Sequence, residues 1–348
     1  GIMKSDEKLI PIRDAHRFDE SALGEYLQDK LEGYTGPLIV RQFEGGQSNP
    51  TFLISCGGQK YVLRKKPPGK LLPSAHQVER EYRVMKALEK TDVPVPKMLL
   101  LCEDDAVIGT PFFIMEYVHG RVLADFTLPN KSPQERRAIY LDVVRVLAAL
   151  HTVNYADLGL EDFGKPGNYF SRQIGRWSKP YVAAKTDEIM SMERLMAYLP
   201  ENVPNDDTSC IVHGDYRMGN MLFHPTGPRI VAMLDWELST LGHPLGDLGY
   251  SCMPYHSKVA GPFSLQGLAG PQSGILSEEE FVAEYCRLTG RDGIANFNFY
   301  LAFSYFRLAG ILQGVYKRGI MGNASSTAAM EKGRLAREIA DLAWSLLE

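Results

Sequence analysis

Residues 211–250 decide the fold, and they read IVHGDYRMGNMLFHPTGPRIVAMLDWELSTLGHPLGDLGY. The stretch begins apolar and turns polar at His213, and Asp215 and Asn220 then lie on one loop. A short hairpin follows over 221–234, and its second strand is apolar and ends at Asp235. Because a strand end and a neighbouring loop meet at one edge of a hairpin, we expect these three oxygen-bearing side chains to converge.

The three side chains match the ligand and base requirements of one type of reaction. Mg²⁺ binds through one or two protein oxygens while water and phosphate complete its shell, and Asn220 and Asp235 suit that role. Asp215 then remains to accept a proton from a substrate hydroxyl. A loop Asp, an Asn five residues later and an Asp on the next hairpin are the parts used in kinase-type phosphoryl transfer. The alternative interpretation is a loop whose acids are solvated or cap turns.

The order of the motifs resembles a known family. H-G-D-x4-N, then L-D-W-E, then G-x-P-x-x-D-L-G is similar to the pattern of the aminoglycoside phosphotransferase family. The resemblance implies an α+β, two-lobed protein-kinase-like fold, with an antiparallel-sheet lobe that binds nucleotide over 1–118. A mostly helical lobe for catalysis and substrate binding is expected over 119–348. It also implies that Asp247 is a buried structural residue.

Composition restricts the class of protein. The 348 residues are 45% hydrophobic and 23% charged, with a net charge of −4, which gives no support for a nucleic-acid or membrane partner. No apolar run reaches the roughly 18 residues that span a bilayer. The polar start lacks the signal-peptide pattern, and the five scattered cysteines favour reduced thiols. We therefore expect a cytoplasmic protein.

The first lobe shows three short β patterns over 38–43, 51–55 and 60–64, separated by two glycine turns. In kinases the first such turn covers the nucleotide phosphates, so the resemblance makes Gly46 and Ser48 candidate nucleotide contacts. The turn lacks the full G-x-G-x-x-G pattern and is also typical of a plain hairpin.

The third strand carries the candidate phosphate-binding cation. The resemblance assigns this role to Arg64, where kinases commonly have Lys, and Arg binds phosphate in a bidentate manner. Lys66 lies on the same strand face and is the reserve candidate. A helix predicted over 75–90 carries Glu81, which the resemblance pairs with the cation. A basic strand end exposed to solvent is the alternative.

A strand predicted over 111–117 precedes the segment that kinases use to bind adenine through main-chain groups. The resemblance therefore assigns Glu116 and Val118 to the nucleotide site. An apolar strand followed by glycine is also a common core feature.

The second lobe is predicted to contain helices over 132–152, 187–199, 277–289, 298–318 and 327–347. An insertion over 165–208 offers acceptor candidates on one helix face, because Arg172 and Arg176 are four residues apart. Trp177 and Tyr181 flank this face, and Glu237 of L-D-W-E is a further candidate. A solvated helix face that packs through Trp177 is an equally good explanation.

The resemblance predicts an ATP-dependent (or GTP-dependent) phosphotransferase that uses Mg²⁺ and a small-molecule hydroxyl acceptor. The sequences YVLRKKPPGKLL and GTPFFIMEYVHGR, together with residues 211–250, are most similar to the branch of the family that is associated with acyl-CoA dehydrogenases. That branch implies a hydroxyacyl-CoA acceptor and a functional link to such a dehydrogenase. The alternative is a nucleotide-binding pseudokinase that acts as a scaffold without turnover, although the three catalytic-type residues are all present.

Overall fold

A computed structural model describes residues 9–44, 49–67, 69, 77–258, 263–322 and 327–348. The chain forms two compact units, each built from two separate segments. The first unit comprises Gly1–Phe163 and His213–Ser239, and the second comprises Gly164–Val212 and Thr240–Glu348.

The strands, in chain order, are β1 Leu9–Ile10, β2 Leu38–Phe43, β3 Thr51–Cys56, β4 Gln59–Lys65, β5 Met98–Cys102, β6 Phe112–Glu116, β7 Cys210–Val212, β8 Met221–Phe223, β9 Ile230–Met233 and β10 Thr240–Gly242. The α-helices are α1 Glu20–Lys30, α2 Val78–Leu88, α3 Pro133–Thr152, α4 Tyr169–Ala184, α5 Met190–Glu201, α6 Pro244–Cys252, α7 Glu278–Thr289, α8 Phe297–Met321 and α9 Thr327–Ser345.

The first unit contains a six-stranded antiparallel sheet in the order β1-β2-β3-β4-β6-β5. Phe52 of β3 and Leu63 of β4 are opposite one another, and both are fully buried in one core cluster with Leu23 and Leu27 of α1. The register places Arg64 of β4 opposite Thr51 of β3. This pairing brings the candidate cation to the start of the strand that follows the first glycine turn.

Apolar residues near helical spacing over 14–33 predict one amphipathic helix, and the helix observed there is shorter. A 3₁₀ turn over Asp14–His16 comes first, and α1 begins after Asp19, whose side chain accepts a hydrogen bond from the Ala22 N–H at 3.0 Å. Asp at the position before a helix satisfies an otherwise unpaired N–H and fixes where the helix begins.

The second unit is mostly helical, with a small antiparallel ribbon of β7 and β10. Its core includes Phe170 of α4, whose ring packs edge-on against Phe299 and Phe303 of α8. Ser277 begins α7 with a capping box, in which its hydroxyl accepts the Glu280 N–H and the Glu280 carboxylate accepts the Ser277 N–H.

Two expectations from the sequence concern the state of the cysteines and membrane-spanning helices. All five cysteines are buried and unpaired. Within the described ranges, no helix has both the length and the apolar character that a bilayer span requires.

Candidate active site

The catalytic-type loop lies between β7 and β8 in the first unit. The Asn220 side-chain N–H group donates to the Asp215 backbone oxygen and to Asp215 Oδ2, both at 2.9 Å. Arg217 Nε donates to the other carboxylate oxygen, Oδ1, at 3.3 Å. The Asp215 side chain is 27% exposed, so its carboxylate is oriented from two sides and still accessible to a substrate.

His213 joins this loop to the strand that ends at Asp235. Its Nε2 donates to the Leu234 carbonyl oxygen at 2.8 Å, and its Nδ1 accepts the Asp215 N–H at 3.1 Å. Because a carbonyl can only accept, the ring carries its proton on Nε2. The Leu234 N–H in turn donates to the Asn220 carbonyl at 2.8 Å. The loop and the strand end are therefore fixed to one another.

Two further contacts fix the loop backbone. The Tyr216 hydroxyl donates to the Val143 carbonyl of α3 at 2.6 Å. Gly214 has φ +91°, and a Cβ added there would lie 2.8 Å from the backbone oxygen of Leu238. Only glycine fits both the conformation and the close approach.

Asp235 combines two features of a ligand-binding residue. Its backbone is in the left-handed region with φ 59°, which Asp tolerates better than most residues but which still costs energy. Its Oδ1 is buried and, within the described residues, accepts no hydrogen bond, although Arg64 Nη1 lies 3.5 Å away. Most buried side-chain acceptors have a partner, so this oxygen is a candidate ligand for a cation.

Asn220 and Asp235 together suit a divalent cation. The amide nitrogen of Asn220 is bound to Asp215, so the amide oxygen is the atom left for a cation. The described part of the chain contains no cluster of three or more His, Cys, Asp or Glu that could bind a metal. One carboxylate and one amide are nevertheless sufficient for Mg²⁺, which fills its remaining positions with water and phosphate.

Arg64 lies in a buried polar cluster. Its Nε is 3.1 Å from Glu81 Oε1 of α2, and its Nη1 donates to the Thr51 hydroxyl at 3.0 Å. Asn49 Nδ2 donates to Glu81 Oε2 at 2.8 Å. Arg64 and Glu81 are 2% and 1% exposed. Burial alone would lower the pKa of Arg64, but attraction to Glu81, Asp235 and other carboxylates outweighs burial and raises it.

The two lysines that directly follow Arg64 have different partners. Lys66 Nζ lies 3.1 Å from Glu79 Oε1, in a pair whose side chains are 22% and 30% exposed. Lys65 points to the opposite sheet face, with its amine about 6 Å from the Phe18 and Phe52 rings. Arg64 is therefore the β4 cation that contacts both Glu81 and Asp235.

The segment after β6 offers main-chain groups. The Glu116 N–H and side-chain Oε1 are engaged with the Lys97 carbonyl and N–H, at 2.9 and 2.8 Å. Among the described residues, the main-chain N–H and carbonyl of Val118 have no hydrogen-bond partner. A Cβ on Gly120 would lie 2.5 Å from the Phe223 carbonyl oxygen, so glycine permits this segment to pack on β8. Gly46 and Ser48, also predicted nucleotide contacts, lie outside the described residues.

The acceptor candidates of the insertion lie in the second unit, on or beside α4. Arg172 donates to the carbonyls of Gly167 and Lys165, which precede its own helix. The Arg176 guanidinium lies 5.6 Å from the centre of the Trp177 ring, and Arg307 of α8 lies 4.9 Å from it.

Tyr181 differs from these surface candidates because it is 1% exposed. Burial, with the nearby Glu193 charge, raises the pKa of Tyr181 to about 12. Its hydroxyl has no hydrogen-bond partner in the part of the chain that the structure describes.

Glu237, the last acceptor candidate, belongs to the first unit. Its charge contributes to the raised pKa of Arg64, so it lies close to the buried Arg64–Glu81 pair. The first unit therefore contains Asp215, Asn220 and Asp235 together with Arg64, Glu81 and Glu237, whereas the four acceptor candidates of the insertion are in the second unit.

Three contributors to the site were missed from the sequence: Arg217, Asn49 and Thr51. Arg217 is two residues after Asp215 in the motif, and that spacing was a usable signal for a charge near the base. Asn49 and Thr51 flank a proline beside a glycine turn and resemble ordinary turn residues. Their contacts with Arg64 and Glu81 depend on strand pairing that composition does not reveal.

The sheet, the loop and the hairpin define a protein of the kinase-like class. Residues 39–285 match the APH phosphotransferase enzyme family, and the chain belongs to this family. The predicted family resemblance and the α+β kinase-like fold are both confirmed.

Similar proteins extend this result. Acyl-CoA dehydrogenase family member 10 of Mus musculus is 46% identical over 338 residues, which are 96% of this chain and 32% of the mouse protein. Acyl-CoA dehydrogenase family member 11 of Homo sapiens is 44% identical over 342 residues, which are 97% of this chain and 44% of the human protein. This chain therefore spans less than half the length of these curated relatives.

Solved structures show the same fold. A candidate aminoglycoside phosphotransferase from Ralstonia eutropha is 52% identical, with a TM-score of 0.87 over 95% of this chain and 98% of that chain. Aminoglycoside phosphotransferase APH(4)-Ia, in a ternary complex with ADP and hygromycin B, is 17% identical with a TM-score of 0.58, covering 93% of this chain and 98% of that chain. At that identity the second likeness concerns the fold alone.

Proposed function

We propose that this chain transfers the γ-phosphoryl group of ATP, or of GTP, to a hydroxyl group of a small molecule. Two observations carry the proposal. Asp215 and Asn220 are hydrogen-bonded on a loop whose backbone is bonded to Leu234, the residue before Asp235, and Asp235 lies beside the buried Arg64–Glu81 pair. Membership of a phosphotransferase family and the ADP bound by APH(4)-Ia support the same reaction class.

In this reaction Asp215 orients the acceptor hydroxyl and receives its proton. The acceptor oxygen bonds to the γ-phosphorus while the bond from that phosphorus to the β–γ bridging oxygen breaks, which releases the nucleoside diphosphate. Such catalysis depends mainly on positioning and on electrostatic stabilisation. The contacts of Asp215 with Asn220 and Arg217 supply that positioning.

Arg64, positioned by Glu81, is proposed to bind the α- and β-phosphates, with Lys66 in reserve. Asn220 and Asp235 are proposed to bind Mg²⁺, which supplies charge neutralisation on the phosphoryl group when bound. Glu237 lies close enough to the same charges to affect this site.

We further propose a division of roles along the chain. Residues 1–118 would bind the nucleotide, through Gly46, Ser48, Glu116 and Val118 in addition to Arg64. Residues 119–348 would supply catalysis and acceptor binding.

For the acceptor we propose a hydroxyacyl-CoA. The names of the curated relatives, which extend well beyond this chain, support an acyl-CoA context and a functional link to an acyl-CoA dehydrogenase. Arg172, Arg176, Trp177 and Tyr181 are the candidate acceptor residues, and two of them are cations that suit an anionic coenzyme. Five buried unpaired thiols are consistent with the cytoplasmic location that we propose.

The test is an ATP-consumption screen with Mg²⁺ across hydroxyacyl-CoAs, aminoglycosides, choline and homoserine, with Asp215→Asn as the blank. Phosphorylated product that appears with the unsubstituted protein and not with the blank would establish both the reaction and its acceptor. If ATP raises the melting temperature but no acceptor is phosphorylated, the pseudokinase interpretation gains support instead.

A further inference from the structure

Arg80 precedes Glu81 on α2 and points about 100° away from it around the helix. Its Nη2 donates to the Phe163 carbonyl at 2.6 Å and to the Ser239 carbonyl at 3.2 Å. The guanidinium carbon lies 4.1 Å from the centre of the Phe163 ring, within the range of a cation–π contact. One side chain thus joins α2 to two distant segments of the first unit.

Ser239 ends a turn that begins at Asp235. The Ser239 N–H donates to the Trp236 carbonyl at 3.0 Å, which closes the turn. The middle of the turn packs against Gly214, where an added Cβ would lie 2.8 Å from Leu238 atoms. The turn is therefore a compact piece that contacts the catalytic-type loop.

The helix and the turn are joined at two places. At the start of the turn, Arg64 lies between Glu81 of α2 and Asp235, with its Nη1 3.5 Å from Asp235 Oδ1. At the end of the turn, Arg80 bonds the Ser239 carbonyl. Arg64 is a proposed phosphate-binding group, and guanidinium–phosphate pairs are strong, so nucleotide competes with Asp235 for it. The Arg80 contact is made to neutral carbonyls and is not subject to that competition.

We propose that Arg80 is a positioning residue that keeps α2 against the turn after Asp235. It thereby keeps Glu81 on Arg64 when Arg64 exchanges Asp235 for nucleotide phosphates. The role in nucleotide binding rests on the proposed function, whereas the connection between helix and turn does not.

The helix supplies a matched control one turn later. Arg83 donates to the Gly159 carbonyl at 2.9 Å and pairs with Asp162, but among the described residues it does not bond the turn that ends at Ser239. Arg80→Met and Arg83→Met each remove one cation from α2 and retain a long apolar side chain. Arg80→Lys retains charge but lacks the planar fork that can stack and donate to two carbonyls.

The experiment measures hydrogen–deuterium exchange of α2 amides in the full chain, with and without Mg²⁺–ATP, and the ATP dissociation constant by calorimetry. Charged hydrogen bonds contribute enough that losing this contact should raise α2 exchange about tenfold. The increase in α2 amide exchange caused by Arg80→Met should be larger with ATP than without it. ATP should also bind this variant about tenfold more weakly. Arg83→Met should change either quantity less than about twofold, because its ion pair is solvent-exposed, and Arg80→Lys should lie between.

Equal α2 exchange in Arg80→Met and Arg83→Met, or complete rescue by Arg80→Lys, would overturn the proposal. The proposal would also be overturned if ATP increased the protection of α2 amides to the same extent in Arg80→Met as in the unsubstituted protein. Failure of the unsubstituted protein to bind ATP would be a failure of the proposed function, and measurement of that protein is sufficient to detect it. Exchange without nucleotide would still decide whether Arg80 joins α2 to the turn.

Discussion

The buried cluster around Arg64 and the basic face of α4 both carry arginines, but they use them differently. In the first unit, Arg64 contacts Glu81 and Asp235, which come from a separate helix and a separate turn. In the second unit, Arg172 bonds carbonyls that directly precede its own helix. An ordered motif therefore predicts contacts between distant segments, whereas helical spacing predicts only which residues share a face.

The largest expected effect is at Asp215. Asp215→Asn retains the shape of the loop but removes the proton acceptor, and general-base groups typically contribute roughly 10²- to 10⁴-fold to rate. We expect that loss in kcat, with ATP affinity retained by calorimetry. Turnover near the unsubstituted level would exclude Asp215 as the base.

Breaking the Arg64–Glu81 pair should mainly affect stability and nucleotide binding. Arg64→Met leaves Glu81 buried without its cation, which typically destabilises by about 3–5 kcal/mol. The free energy of unfolding from urea titration should fall by that amount, and the ATP KM should rise. Adding Glu81→Gln should recover part of the stability but not the ATP affinity.

The comparison for this pair is Lys66→Met, which removes the partly exposed pair with Glu79 and should lower stability less than Arg64→Met does, because more of this pair is in contact with solvent. If Lys66→Met raises the ATP KM and Arg64→Met does not, the phosphate-binding role belongs to Lys66.

Arg217 allows a smaller test within the motif itself. Arg217→Met removes the donor at 3.3 Å from Asp215 Oδ1, and the arginine is 43% exposed, so the loss should be modest. We expect kcat to fall about tenfold or less, with little change in melting temperature. Arg229→Met, on the exposed hairpin turn, is the control, and an equal loss there would mean a general charge effect.

Prediction from the sequence was most reliable where a motif coincided with a regular spacing of apolar residues. The strands that contain Arg64 and Thr51 follow from short apolar runs separated by glycine turns. The hairpin before Asp235 follows from apolar residues on either side of a proline-rich turn, and the helix that contains Glu81 follows from the helical spacing of its apolar residues. The short β7–β10 ribbon was missed, because three-residue strands lack a measurable period. The Arg217 and Asn49 contacts were missed, because a side-chain partner depends on backbone placement that local sequence does not determine.

The acceptor face on α4 should give a smaller effect than these changes. Arg176→Ala should weaken acceptor binding several-fold without changing ATP affinity, because Arg176 is exposed beside Trp177. Arg172→Ala should in addition lower the melting temperature, because it removes two contacts with backbone carbonyls. Arg194→Ala on α5 is the exposed control, and an acceptor KM that is unchanged in Arg176→Ala would contradict the proposed role.

The smallest expected effect concerns pH and the buried His243 of the second unit. Burial lowers the pKa of His243 below its ordinary value, although nearby Asp206 opposes this shift. The unfolded chain then binds a proton that the folded chain excludes, so stability is complete above about pH 6.5 and falls as the pH is lowered.

Urea unfolding at pH 7.5 and 5.5 measures this effect, and His243→Asn should reduce the difference between the two values. His119→Gln, at an exposed position, should leave the difference intact. A pH dependence that survives His243→Asn in full would assign the acid sensitivity to other groups.

The interleaving of the two units has a consequence for biosynthesis. The first unit is complete only when the second of its segments, His213–Ser239, has followed its first, which ends at Phe163. At roughly 5–20 residues per second, the ribosome needs about 4–15 s to add residues 164–239, which complete the first unit. During that interval Asp142 of α3 lacks the Ile230 N–H that it accepts, and Arg80 lacks the Ser239 carbonyl. Chaperone dependence should therefore be greatest for ribosome-bound chains that end between these two segments.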